Sequence, residues 1–208
     1  MAVLTRLLTI YVVYLLAAMS PGPAVFFVMR AAVASRRLGL RGALGVATGT
    51  TLWVGVAALG LAAALKSAPV LSRAIMGAGG LYFLHVAWRL AQGALARVET
   101  ERGPRFAPRS AGAAYSQGLA TNATNPGTAL FFTGLLGLYH VELMPRGAQL
   151  AVYAGIPLLS CAWYGALAFA FSSARLSRAY MRLRRPLDAA LAVLFLVLGV
   201  ELLLSVRL

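Results

Sequence analysis

Met19-Ser20-Pro21-Gly22-Pro23 interrupts an apolar run that extends from Leu7 to Met29. Pro21 and Pro23 carry no N–H, so in a continuous helix the carbonyls of Ala17 and Met19 would lose their partners. Gly22 between them leaves helical geometry without steric cost. In hydrocarbon an unsatisfied backbone group is expensive, and broken backbone at membrane depth persists only where protein or a wet cavity covers it. The stretch therefore predicts a cavity.

The rest of the chain supplies the membrane. Of 208 residues 61% are hydrophobic and only 12% are charged, which excludes a soluble domain with one core and indicates a polytopic protein whose partner is the lipid bilayer. A net charge of +14 would favour nucleic acid in a soluble chain, but here the cations sit in short segments between apolar runs, where they act as topology signals. Nucleic acid is therefore not an expected partner. The single cysteine, Cys161, excludes an intramolecular disulfide or a paired-thiol relay. Arg6 and Ala17-Ala18 resemble parts of a signal peptide, yet the apolar run continues past Pro23 and has the length of a span.

Six apolar segments follow one another: about 7–29, 42–65, 74–95, 113–138, 148–171 and 187–206. Each reaches the ~20 residues that ~30 Å of hydrocarbon requires. Fourteen of the 19 Lys and Arg fall in the first, third and fifth intervening segments, whereas Arg6, Lys66, Arg73, Arg146 and Arg207 fall on the other side. Positive segments stay in the cytoplasm, so both termini are expected on the outer, periplasmic face. The polar stretch 97–110 is expected as a cytoplasmic linker that divides one integral membrane domain, 1–208, into halves 1–96 and 111–208.

Three spans per half is an odd number, so related halves must be inverted. Thr124-Asn125-Pro126-Gly127-Thr128 interrupts the fourth segment as Pro21-Gly22-Pro23 interrupts the first, and Pro126 frees the carbonyl of Asn122. Trp53-Val54-Gly55 has a counterpart in Trp163-Tyr164-Gly165. The expected fold is an all-α membrane protein, six transmembrane helices in a 3+3 inverted repeat with helices 1 and 4 broken. Gly45 and Gly49, four apart, are expected at a close helix contact.

These residues resemble the LysE/RhtB family of bacterial amino-acid efflux permeases, over essentially the whole chain. Ser20-Pro21-Gly22-Pro23 carries most of the resemblance. It is joined by the glycine-spaced stretch Arg41 to Gly49, by Gly79-Gly80-Leu81-Tyr82, by Gln117-Gly118-Leu119, and by Asn122 with Asn125-Pro126. Two departures stand out. Gly127-Thr128 replaces the Lys-Ala usual after Asn-Pro, and His85 stands where relatives more often carry a small residue. The resemblance implies secondary active export of amino acids across the bacterial inner membrane, coupled to the proton gradient, with no metal or organic cofactor and no enzymatic activity.

A zwitterionic substrate brings a carboxylate and an ammonium, and both must be desolvated near the midplane. Half-helices starting near Gly22 or Gly127 offer N–H groups and a positive dipole end to the carboxylate. The carbonyls of Ala17, Met19 and Asn122 are expected to receive the ammonium, with Ser20, Asn122, Asn125 and Thr128 completing the hydrogen bonds. The substrate-binding set is thus Ser20, Pro21, Gly22, Pro23, Asn122, Asn125, Pro126, Gly127 and Thr128. His85 and Asp188 are the candidates for carrying the coupling proton. No acid adjoins either break in sequence, which favours a neutral substrate of threonine, homoserine or leucine type over lysine. A homodimer is compatible with the sequence. The alternative function is a non-transport membrane protein, either an intramembrane enzyme or an assembly factor; against the enzyme, Ser20 has no histidine or acid near it in sequence.

Overall fold

The computed structural model describes residues 2–20, 22–67, 69–95 and 108–205; Pro21 and most of the expected linker 97–110 lie outside the described residues. Among the described residues the chain is entirely helical, with one short 3-10 turn. The first apolar run forms α1 (Ala2–Met19) and α2 (Pro23–Ala34), bent by 60° to each other. Pro23 occupies the start of α2, where its missing N–H would have had no helical partner anyway, and Gly22 precedes it in an extended conformation. The helices α3 (Arg36–Ser67) and α4 (Pro69–Leu95) complete the first half of the chain.

The second half begins with α5 (Ala111–Ala123), whose first turn is capped by Ser110 accepting from the Ala113 N–H at 3.1 Å. Thr124 and Asn125 separate it from α6 (Pro126–Leu138). A 3-10 turn (Val141–Leu143) then leads into α7 (Arg146–Phe171) and α8 (Ala174–Ser205). Residues Arg36–Gly60 of α3, the whole of α7, and Arg185–Ser205 of α8 are each long and apolar enough to cross a membrane, and α1 with α2 adds a fourth crossing if the bent pair is one span. The class is therefore an integral membrane protein built of helices.

One segment differs from its expected form. The basic stretch 175–185, expected as a loop before a span starting near 187, belongs to α8, which begins at Ala174 and runs through Pro186. Its Arg, Leu, Met and Ala residues are strong helix formers. The charge pattern carries an expectation about topology and says nothing about the backbone.

Packing follows the small residues. Lipid tails are as apolar as leucine, so helices associate through close contact, and glycine permits the closest. A Cβ at Gly45 would collide with the Tyr115 carbonyl of α5 and stand 2.7 Å from the Leu119 nitrogen; at Gly49 it would stand 2.7 Å from the Asn122 Cβ. The contact of α4 with α8 uses Gly80 and Gly199 in the same way. On α8, Leu191, Phe195, Leu198 and Leu202 are buried while Val193, Leu196, Val197, Val200 and Leu204 are exposed. Both faces are apolar, one turned to neighbouring helices and the other presenting the surface that lipid covers.

Tertiary hydrogen bonds tie each break to an unbroken helix. The Trp53 indole of α3 donates to the Asn122 carbonyl at 3.1 Å, and the Trp163 indole of α7 donates to the Ala18 carbonyl at 3.0 Å. The Tyr11 hydroxyl of α1 donates to the Ala151 carbonyl of α7 at 2.6 Å, while that of Tyr115 on α5 donates to Thr48 of α3 at 3.1 Å. Between α3 and α7 the Ser160 hydroxyl donates to Thr50 at 3.2 Å; these two residues are 110 apart in sequence, the same separation as Trp53 and Trp163.

Each indole supplies a donor to a carbonyl near the end of a broken helix. Trp53→Phe and Trp163→Phe keep the ring and remove the donor. Each is expected to cost about 1 kcal/mol, in the upper part of the range measured for hydrogen bonds inside membranes. Thermal unfolding in detergent checks this: both single variants should melt below the wild type, and the double variant lower still.

Candidate functional site

A cavity of about 180 Å³ lies where the two breaks approach each other. Ser20, Gly22, Pro23, Asn122, Asn125, Gly127 and Thr128 line it, so seven of the nine substrate-binding residues expected from sequence meet at one place. Pro126 lines the adjoining cavity, and Pro21 lies outside the described residues. Tyr14, Thr50, Tyr82 and Tyr164 complete the polar part of the lining, and Phe131, Phe132 and Phe195 supply an aromatic side. None of the lining residues is charged. At ~30 Å³ per water, the space suits a few waters or one small solute.

The polar end is built around Asn122, which is 5% exposed. Its amide nitrogen donates to the Val46 carbonyl at 3.0 Å and to the Thr50 hydroxyl at 3.1 Å. That assignment leaves Oδ1 buried with no hydrogen-bond partner. The Tyr14 hydroxyl is buried beside the hydroxyls of Thr50 and Ser160, within reach of both. Thr50 accepts from both Asn122 and Ser160, so its own proton is available to a third group. An unpartnered buried acceptor costs about 1–3 kcal/mol. A ligand that donates to Asn122 Oδ1 would recover part of that.

The two helix ends differ. At α6, Asn125 caps its own helix: its side-chain oxygen accepts from the Gly127 N–H at 2.9 Å, and its carbonyl accepts from Thr128 at 3.0 Å. At α2 the capping position is Gly22, which has no side chain to offer. By their positions in the first turn, the N–H groups of Ala24 and Val25 have no intrahelical carbonyl, and both residues line the cavity. An anion is therefore better served at α2 than at α6. Gly127 instead makes room for a neighbour, since a Cβ there would run into the Tyr82 phenol, which occupies that space.

Of the carbonyls expected to receive an ammonium, that of Asn122 is already taken. The Ala17 carbonyl accepts from the Ser20 N–H at 3.1 Å. That of Asn122 accepts from Asn125 at 3.1 Å and from Trp53, which uses both of its lone pairs. Proline removed the helical donors, and the turn and a neighbouring helix replaced them. The Ala17 carbonyl keeps its second lone pair, and Asn122 Oδ1 adds a buried side-chain acceptor with no partner of its own.

A larger cavity of about 610 Å³ adjoins the first and shares Ser20, Gly22, Pro23, Tyr82, Val86, Asn125 and Gly127 with it. His85 and Asp188 both line this second space, together with Arg30 and Arg89. Asp188 is 2% exposed and sits against Gly93, where a Cβ would stand 3.0 Å from its carboxylate oxygen. His85 is exposed and its ring lies 6.4 Å from that of Tyr82. Charged groups thus collect in the larger cavity, and the described lining of the inner one is neutral.

Sequence reasoning did not single out Tyr14, Thr50 or Ser160. Tyr14 precedes Ser20 by less than two helical turns, and Thr50 interrupts a run of small residues, which are the signals that could have marked them. Glu142, in the 3-10 turn at the far end of the molecule, has a side chain only 8% exposed. Burial pushes its carboxyl above the usual glutamate value, opposed by its own backbone N–H and by His140 at 3.6 Å.

Comparison with known proteins bears on the same stretches. The family model described as LysE type translocator matches residues 15–206, which include both breaks. A threonine efflux protein of Salmonella typhi is 32% identical over 199 residues, covering 95% of this chain and 97% of that protein. The threonine efflux protein of Escherichia coli K12 is 32% identical over 200 residues with the same coverage. An uncharacterized membrane protein of Haemophilus influenzae is 26% identical over 93% of each chain. No solved structure matches the chain. With the family model spanning both broken helices and the cavity between them, the chain belongs to the LysE type translocator family.

Proposed function

We propose that the protein is a secondary exporter of small neutral amino acids across the bacterial inner membrane, driven by the proton gradient. The observation that carries this reading is the pairing, in one neutral cavity, of the α2 N-terminus with the unpartnered Asn122 Oδ1. The first suits a carboxylate, and the second suits an ammonium. The relatives named threonine efflux protein support the class of substrate.

The six-span inverted repeat belongs to the same proposal: α1 with α2, α3 and α4 form one half, and α5 with α6, α7 and α8 the other. Its support is the matched indole bonds of Trp53 and Trp163 and the hydroxyl pair Thr50 and Ser160. On this arrangement the larger cavity, with Arg30 and Arg89, faces the cation-rich cytoplasmic side and is the loading vestibule. His85 and Asp188, on the vestibule, are placed to exchange protons, and both termini lie in the periplasm.

Purified protein in amino-acid-loaded liposomes tests the function. Threonine, homoserine or leucine should leave faster with an opposing proton gradient than without one, and lysine or arginine should leave at least about tenfold more slowly, because the cavity gives a second cation no carboxylate. Preferential export of lysine would overturn the neutral-substrate reading. Failure to move any amino acid would favour a non-transport role.

A further inference from the structure

The lining of the inner cavity is part polar and part aromatic, and the aromatic part has no role yet. Phe131 of α6 and Phe195 of α8 line it, with ring centroids 6.2 Å apart. Phe83 of α4 is fully buried behind them, 5.8 Å from Phe131 and 5.6 Å from Phe195. Three rings from three helices brace one another, so the wall has little freedom to retreat. The groups that suit a carboxylate and an ammonium come from α1, α2 and α5. A substrate held by its charged groups there presents its side chain to the remaining wall.

We propose that Phe131 and Phe195 form the subsite for the substrate side chain and set its upper size, admitting side chains up to that of leucine and turning away phenylalanine. Phe83 is a positioning residue that holds both rings. This inference rests on the exporter reading. It assigns the size limit to particular residues, and the neutrality of the lining explains separately why charged side chains are refused. Shape does the rest: an apolar pocket distinguishes neighbouring side chains by roughly 10-fold or more per methylene.

The test uses the full chain in liposomes, measuring KM and maximal rate for alanine, threonine, leucine and phenylalanine. Phe195→Ala should raise the phenylalanine-to-alanine ratio of rate over KM by about tenfold or more, with the change mainly in KM. Phe195→Leu, which keeps an apolar side chain in the wall, should give a smaller shift in the same direction and serves if the alanine variant fails to fold. Phe83→Leu should blunt the same discrimination by a smaller factor, because both rings can then settle back into the space behind them. A folded, active Phe195 variant that ranks the four amino acids as the wild type does would overturn the subsite while leaving the exporter reading intact. A wild type that moves none of the four overturns both.

Discussion

Asn122→Ala is expected to reduce transport by between about 10- and 100-fold while the protein still inserts in the membrane. The substitution removes two donors, to Val46 at 3.0 Å and to Thr50 at 3.1 Å, and also removes the unpartnered Oδ1. The structural part is modest, since hydrogen bonds inside membranes average well below their nominal strength. The larger part is the lost acceptor: a hydrogen bond to a charged group contributes about 1.5–3 kcal/mol, and each ~1.4 kcal/mol is tenfold. Asn122→Asp should be no better, because its second oxygen would face the Val46 carbonyl, an acceptor against an acceptor. Initial efflux rates normalised to inserted protein decide the matter. Wild-type rates from the alanine variant would place the substrate elsewhere.

The second large effect is steric. On α3, Gly45→Ala and Gly55→Ala are the same substitution with opposite expected signs. At Gly45 the new methyl group meets the backbone of α5, which no side-chain rotation can relieve, and overpacking of this kind costs about 1–3 kcal/mol. At Gly55 nothing lies within 4 Å, so the intrinsic helix preference of alanine, up to about 1 kcal/mol, is all that changes. Thermal unfolding should therefore show Gly45→Ala melting lower than the wild type and Gly55→Ala melting at or above it. Equal behaviour of the two variants would mean that α3 and α5 do not pack as closely as described.

Much of this was readable in the chain because proline and glycine act through local covalent geometry. The breaks at Pro23 and Pro126 and their convergence on one cavity follow from missing N–H groups and from the cost of satisfying backbone in lipid. The wrong expectation had the same source. Counting lost donors identifies which carbonyls a helix abandons, and it cannot identify what a neighbouring helix gives back; Trp53 reaches Asn122 from 69 residues away. Tyr14 and Thr50 were harder to pick out for a related reason: Tyr11 beside the one, and Thr48 and Thr51 beside the other, are equally polar, and spacing alone does not say which of them looks inward. Asn125 as the cap of its own helix was legible in principle, since Asn before Pro at a helix start is a familiar signal. Its oxygen serves its own chain first.

The bare glycine ahead of α2 has a thermodynamic consequence. A helix whose first turn receives no cap from the Gly22 side chain leaves room, on the proposed reading, for a carboxylate to complete it at Ala24 and Val25. Binding there would lengthen the network that holds α2 as well as seat the ligand. Occupancy and rigidity then become one equilibrium: a molecule that fills the site stiffens the bent segment around it, and loosening that segment is the same event as letting the molecule go.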